Sequence, residues 1–165
     1  MWRKFLADFT VAPIIEVASG RPFNVLSGND FNHDFGATTD RPSVVSSGGK
    51  QSAFIPGVRF GLPDQCPVTV PGITDQGVGC TGNLGRNRFT RPRFFQVDLR
   101  VSRKFFLGEK VNLEVISEAF NLFNRNNVAD VSLLCDPTPF ATCDAGRPTA
   151  ALDARQFQFA LKINF

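Results

Sequence analysis

The sequence predicts an all-β fold of long antiparallel strands, because its composition favours strands and turns and because four segments alternate apolar and polar residues. The chain of 165 residues contains 18 phenylalanines and no tyrosine, together with 14 glycines and 11 prolines. Phenylalanine favours strands, whereas frequent glycine and proline interrupt helices. No run of about 20 apolar residues is present, so the sequence offers no transmembrane helix. The formal net charge of +3 is too small to indicate a nucleic-acid partner.

The four alternating segments have the two-residue period of a β-strand whose two faces meet different surroundings. They cover residues of about 5–18, 94–106, 111–123 and 155–165. Apolar side chains occupy most odd positions, with Arg103 as the exception in the second segment, and polar side chains occupy most even positions. Each segment spans roughly 11 to 14 residues, whereas strands of soluble proteins average about 5 or 6 and membrane-crossing strands need about 9 to 11. Strand length therefore favours strands that cross a membrane.

The connections between these segments are very unequal in length. Only Leu107-Gly108-Glu109-Lys110 separates the second and third segments, whereas residues of about 19–93 and 124–154 form the two other connections. Membrane β-barrels combine short turns on one side with long outer loops on the other. The sequence therefore predicts an antiparallel transmembrane β-barrel segment of about four long strands and two long outer loops. Four strands cannot close a barrel, so we expect residues 1–165 to be the C-terminal fragment of a larger one.

The first residues of the sequence also lead us to expect a fragment. Acidic Asp8 and Glu16 interrupt the apolar run that follows Met1, and no export signal is recognisable there. An exported protein without such a signal suggests a truncated reading frame, and the alternative is a cytosolic protein.

The short turn allows a prediction of strand register. A three-residue turn at Gly108-Glu109-Lys110 places Lys104 opposite Glu114 and Arg100 opposite Glu118. Both pairs combine opposite charges on the polar face, which stabilises neighbouring strands and suits a water-filled lumen. A longer turn would place Lys104 opposite Asn112 and Asp98 opposite Glu118, which is less favourable.

The four cysteines fall into two local pairs inside the long connections. No Cys-x-x-Cys motif suggests a zinc site, and disulfides that close loops in an oxidising compartment fit better. Four cysteines allow three pairings, and proximity alone favours two of the possible bonds, Cys66–Cys80 and Cys135–Cys143. These bonds argue against a cytosolic location.

The first long connection contains a weak candidate for a calcium site. Asp30, Asn32, Asp34 and Asp40 resemble the alternating oxygen ligands of a calcium loop. Phe35 stands where such a loop has glycine, however, and Arg41 replaces its bidentate glutamate. The alternative is a turn in which the short polar side chains cap their own backbone.

Several motifs resemble the last part of TonB-dependent outer-membrane receptors, and the Oar-like branch is the most similar. The motifs are Ser19-Gly20-Arg21-Pro22-Phe23, Thr39-Asp40-Arg41-Pro42, Gly82-Asn83-Leu84-Gly85-Arg86-Asn87, Gln96–Phe105 and Glu118-Ala119-Phe120-Asn121-Leu122-Phe123-Asn124. The resemblance implies an outer-membrane protein of a Gram-negative bacterium that takes up a bulky ligand with energy from TonB. Such receptors have an N-terminal plug and a barrel of about 22 strands. Neither the plug nor a TonB-contacting box is recognisable in this sequence.

The end of the chain resembles the C-terminal signal that the barrel assembly machinery recognises. Gln158, Ala160, Ile163 and Phe165 match that pattern, although glycine is usual where Ala160 stands. An exposed alternating strand can add to the edge of another sheet. The alternative is that Phe165 only anchors the barrel at the membrane surface. Because the four strands alternate in direction and the short turn lies on the periplasmic side, we also expect the C-terminus in the periplasm.

Sequence motifs for catalysis are missing, so we expect no enzyme and no cofactor other than the calcium considered above. His33 has no nucleophile at a recognisable spacing. The basic residues Arg86, Arg88, Arg91 and Arg93 could contact lipopolysaccharide phosphates or an anionic ligand, or could form a solvated loop base. Two functional alternatives stay open: a passive porin or adhesin-type barrel, and a secreted disulfide-stapled β binding module.

Overall fold

The alternating segments form strands in the computed structural model of the chain, which describes residues 7–32, 35–36, 39–63, 80–108 and 110–165. The strands are β1 (Phe9–Ala18), β2 (Pro22–Phe23), β3 (Ser43–Val45), β4 (Arg59–Gly61), β5 (Phe89–Thr90), β6 (Phe94–Phe106), β7 (Asn112–Phe120), β8 (Val128–Val131), β9 (Pro148–Ala151) and β10 (Gln156–Asn164). These described ranges contain no helix that is long and apolar enough to span a membrane.

Four long strands form one sheet in the order β1-β6-β7-β10, and every pairing within it is antiparallel. This confirms the prediction of an all-β antiparallel fold with about four long strands. Strands β1 and β10 lie at the two edges, so the sheet is open and does not close into a barrel within the described part of the chain.

Two strand boundaries differ from the prediction by more than one residue, and a residue with left-handed backbone conformation explains each difference. Strand β1 begins at Phe9 because Asp8, with a φ of 67°, lies in a turn; residues 5–6 lie outside the described ranges. Strand β7 ends at Phe120, three residues early, because Asn121 has a φ of 49°. Asparagine tolerates this backbone conformation better than most residues do, and a continuous strand cannot include it.

The predicted register of β6 and β7 is confirmed. Lys104 is paired with Glu114 and Arg100 with Glu118. The Leu107 N–H donates to the Val111 carbonyl oxygen at 2.9 Å, which closes a three-residue loop over residues 108–110. Of these three residues, Glu109 lies outside the described part.

The chain divides into two compact units. The first contains the four-stranded sheet, and the second comprises Gly20–Pro92 and Val128–Ala150, the two long connections. The second unit has small two-stranded sheets, β2-β5 and β3-β4, and most of the pair β8-β9. Its buried core consists of Phe23, Val25, Ile55, Phe60, Leu84, Val131, Cys135 and Ala145. The sequence analysis predicted long loops here but neither these short strands nor a separate core.

Candidate functional site

One face of the four-stranded sheet is a nearly continuous apolar surface. In one row across the sheet, Val101 lies between Val11 and Ser117. The odd positions of all four strands share this face, and Val17 and Phe159 are 72% and 76% exposed. Its other exposed members are Phe9, Val11, Ile15, Phe105, Val115, Phe157, Leu161 and Ile163. Soluble proteins rarely leave such an extended apolar surface in water, whereas a membrane barrel turns it towards lipid.

The opposite face carries charged side chains in transverse rows. The Nη1 atom of Arg100 lies 3.4 Å from Oε1 of Glu118. Two rows further along the same face, the registers place Glu114 between Lys104 and Lys162. The Arg100 side chain is 48% exposed, so its ion pair contributes little stability. The rows of alternating charge indicate a surface that faces water.

Arg103, the basic exception on the apolar face, lies between two aromatic rings. Its Cζ atom is 4.8 Å from the ring centroid of Phe9 and 4.8 Å from that of Phe105. Such cation–π contacts stabilise a guanidinium group by about 0.5–2 kcal/mol, depending on exposure. They offset part of the cost of placing a charge on this face, which is smallest near the edge of a membrane.

A hydrogen bond between Asn121 and Asp98 lies where the regular pairing of β6 with β7 ends. The Asn121 N–H donates to Oδ1 of Asp98 at 2.8 Å. One residue further on, the Leu122 N–H donates to the Val97 carbonyl oxygen at 2.8 Å, displaced by one residue from the β6-β7 register. An extra residue in one strand of a ladder is the defining feature of a β-bulge.

A second asparagine, Asn127, uses its side chain to form hydrogen bonds with the backbone of β6 beyond the end of the strand pairing. The Asn127 Nδ2–H donates to the Phe95 carbonyl oxygen at 2.9 Å, and Asn127 Oδ1 accepts the Phe95 N–H at 3.2 Å. Asn127 is 1% exposed. Its amide thus replaces the peptide group of a neighbouring strand. The sequence analysis missed this residue, although an asparagine just beyond a predicted strand is a usable signal for such a role.

Two motifs that resemble TonB-dependent receptors make close backbone contacts in the second unit through a glycine. Gly20 lies against Arg91, and a Cβ atom at position 20 would overlap the Arg91 carbonyl group. The Arg91 N–H donates to the Arg21 carbonyl oxygen at 2.9 Å. The next residues, Pro22 and Phe23, pair with β5. Glycine is therefore required at position 20 by a close approach of two backbone segments.

A similar close approach joins the Gly82-Asn83-Leu84 motif to the Thr39-Asp40-Arg41-Pro42 motif. A Cβ atom on Gly82 would overlap the carbonyl groups of Arg41 and Pro42. The Asn83 side chain accepts the Val44 N–H at 2.8 Å and donates to the Val44 carbonyl oxygen at 3.5 Å. Asn83 thus pairs with a backbone segment in the same way as Asn127 does.

The predicted Cys135–Cys143 disulfide is present and lies in the second unit. Cys80 is also disulfide-bonded, but Cys66 lies outside the described residues, so the Cys66–Cys80 pairing stays a prediction. Next to the observed disulfide, burial raises the pKa of Asp136, but hydrogen bonds from Thr138 and the charge of Lys50 outweigh burial. The net effect lowers the pKa of Asp136 below its ordinary value of 3.8.

The candidate calcium ligands are used in backbone turns where the structure describes them. Asp40 Oδ2 accepts the N–H groups of Phe31 and Asn32 at 2.6 and 3.0 Å. Asp30 Oδ2 accepts the Phe35 N–H at 2.9 Å. Asp34 lies outside the described residues. Within the described residues, no cluster of three or more His, Cys, Asp or Glu residues could hold a metal. These bonds are typical of the alternative, a self-capping turn, and calcium binding stays a prediction.

The residues of the predicted assembly signal lie on β10, the edge strand that follows β7 in the sheet. Gln158 is paired with Glu118 and Ala160 with Ile116. Ile163 and Phe165 lie further along on the apolar side, and Phe165 is 100% exposed. The structure thus presents these residues on an accessible strand.

A family model described as "Outer membrane beta barrel domain" matches residues 1–158 of the chain. No curated protein and no solved structure matches the chain significantly. The family match covers the second unit and the four-stranded sheet as far as Gln158 in β10.

Proposed function

Because the chain belongs to the family of outer membrane β-barrel domains, we propose that it is the C-terminal part of a TonB-dependent, Oar-like receptor that takes up a bulky ligand. The observation that best supports this proposal is the contact between motifs that resemble that family. Gly82 of the motif over residues 82–87 meets Arg41 and Pro42 of the motif over residues 39–42, at distances that exclude a side chain on the glycine. Motifs that are far apart in sequence therefore act together in one structure.

The proposal includes an orientation in the outer membrane. The three-residue loop over residues 108–110 and the C-terminus face the periplasm, and the second unit faces the exterior. The odd face of the sheet meets lipid, and the even face with Arg100 and Glu118 lines the lumen. Outer-membrane barrels commonly combine short periplasmic turns with long outer loops in this way. Energy coupling reaches this region only through upstream plug and TonB-contacting parts.

Two measurements on the full-length protein test the proposal. The first is ion conductance after insertion into a planar lipid bilayer, and the second is binding of the periplasmic domain of TonB. A plugged receptor should show no steady conductance and should bind TonB. Steady conductance without TonB binding would contradict active transport and would support a passive porin, whose strands also have one face towards lipid and one towards water.

Assembly is the second part of the proposal. The barrel assembly machinery is the proposed partner of β10, because this strand offers an edge and an exposed terminal aromatic ring at Phe165. A Phe165→Ala variant should reach the outer membrane in smaller amounts, and Phe140→Ala is a matched control, since Phe140 is a fully exposed loop phenylalanine. Equal amounts of the two variants would support a role for Phe165 as a membrane anchor only.

Other proposed properties are simpler to test. We propose that the protein binds and transports without catalysis, and that basic residues before β6 contact lipopolysaccharide phosphates at the outer leaflet. Calcium binding by Asp30 and Asp40 would use carboxylates that now accept backbone N–H groups. Calorimetric titration with calcium decides this point, because no heat at millimolar concentration would remove calcium from the proposal.

A further inference from the structure

The second unit contains an open cleft of about 410 Å³ with an aromatic wall. Phe23 and Ile55, which belong to the buried core of the unit, line it together with Phe89. Phe54 also lines the cleft and leaves 48% of its surface exposed. The volume lies within the usual range of about 300–1,000 Å³ for small-molecule sites. The cleft therefore offers apolar contact area for a ligand of modest size.

Two arginines line the same cleft, and only one of them has an acidic partner. The Nη2 atom of Arg91 lies 2.8 Å from Asp130, and its Nη1–H donates to the Ala129 carbonyl oxygen at 2.7 Å. Arg91 is thus neutralised and held in place. Arg88 is exposed, and no acidic side chain in the described part of the chain forms an ion pair with it. One uncompensated positive charge therefore lies beside an aromatic wall.

A second cavity of the unit has a different character. Asn24, Thr39, Asp40, Arg41 and Arg86 line it. Asp40 and Arg41 are already bonded to backbone groups, since Asp40 Oδ2 accepts two N–H groups and Arg41 Nη1–H donates to the Leu84 carbonyl oxygen at 2.5 Å. This cavity lacks an aromatic wall, so the aromatic cleft is the stronger candidate.

We propose that the aromatic cleft binds a small amphipathic anion. The apolar body of the ligand packs against Phe54, Phe89 and Ile55, and its carboxylate pairs with Arg88. Apolar surface provides most of the affinity, and the arginine selects for negative charge, because guanidinium and carboxylate groups match in geometry. This inference rests on the proposed function as a receptor: a bulky ligand would place one apolar, anionic group in the cleft, and the inference specifies the chemistry of that group and the residues that recognise it.

The test uses two probes with the same apolar body, 2-naphthoate and uncharged 2-naphthamide. Binding is measured by calorimetry with the full-length protein in nanodiscs, after subtraction of the heat from empty nanodiscs. Arg88→Gln should weaken naphthoate binding by about two- to fivefold, the effect of one exposed ion pair, and should leave naphthamide binding unchanged. Phe54→Ala should weaken binding of both probes by about three- to tenfold.

Arg86→Gln is the matched control, because it removes one exposed positive charge from the same basic run and Arg86 lines the other cavity. It should leave the binding of both probes unchanged. Equal losses from Arg86→Gln and Arg88→Gln would indicate diffuse electrostatic attraction and would overturn the proposal. So would the absence of saturable binding of naphthoate. This assay requires no TonB, so failure of active transport and failure of the ligand site give different results.

Discussion

Replacement of Asn127 by alanine should destabilise the end of the four-stranded sheet. The substitution removes the hydrogen bonds to the Phe95 carbonyl oxygen and N–H, at 2.9 and 3.2 Å. Each bond contributes about 0.5–1.5 kcal/mol, and a buried partner that is left unsatisfied costs about 1–3 kcal/mol. Phe95 is only half-buried, so water replaces part of the loss. We therefore expect Asn127→Ala to lower the free energy of unfolding by about 2 kcal/mol.

The measurement is urea unfolding of the purified protein in detergent micelles, followed by circular dichroism. With a dependence of about 1–3 kcal/mol per molar urea, the expected loss moves the midpoint by about 1 M. Asn126→Ala is the matched control, since Asn126 is exposed. Exposed substitutions usually change stability by less than about 0.5 kcal/mol. Equal midpoints for Asn127→Ala and Asn126→Ala would refute the role of the Asn127 amide as a substitute strand.

An Asn127→Asp variant adds a pH-dependent test of the same geometry. Only a protonated carboxyl group can both accept the Phe95 N–H and donate to the Phe95 carbonyl oxygen. Burial and the facing carbonyl oxygen should raise the pKa of the new aspartate in the folded state above its unfolded value. The folded state then binds the proton more tightly, so the variant should gain stability, relative to the original protein, as the pH falls. A difference in stability that does not change with pH would contradict the two hydrogen bonds.

Three further predictions concern other parts of the chain. Arg100→Glu should cost about 0.2–1 kcal/mol of unfolding free energy, and adding Glu118→Arg should restore it in a double-mutant cycle; a coupling energy of zero would show that the pair contributes nothing. Removal of the Cys135–Cys143 disulfide should destabilise the second unit by about 2.5 kcal/mol from loop entropy, detectable as faster hydrogen exchange in residues 128–147 but not in β6. The pKa of Asp136 is lowered in the folded protein, so its stabilising effect is present above the unfolded value and is lost as the pH falls through the lower folded value. Asp136→Asn should remove this acid sensitivity, and an unchanged pH profile of thermal unfolding would contradict it.

The four-stranded sheet could be predicted from the sequence because strand geometry depends on a simple period. Alternation of two residues defines the faces, and the short distance between β6 and β7 leaves few possible turns. Opposite charges then selected the register in which Lys104 faces Glu114. Arg103 broke the alternation, yet its contacts with Phe9 and Phe105 show how one charge is accommodated on an apolar face.

The second unit could not be predicted in the same way. Its strands are two to four residues long, too short for any period to be visible. Its core joins Phe23, Phe60 and Val131 across long stretches of sequence. The aromatic cleft likewise combines side chains from several separate segments. Proximity in sequence predicted its Cys135–Cys143 disulfide, and two of its glycines, Gly20 and Gly82, belong to motifs that resemble a known family.

The separate core of the second unit has an evolutionary consequence. A segment that satisfies its own packing needs little from the strands to which it is attached. Substitutions around Phe54 or Arg88 can therefore accumulate without disturbing the pattern that the bilayer imposes on the sheet. Selection can therefore remodel the second unit of such a protein while the alternating pattern of its sheet keeps its ancestral design.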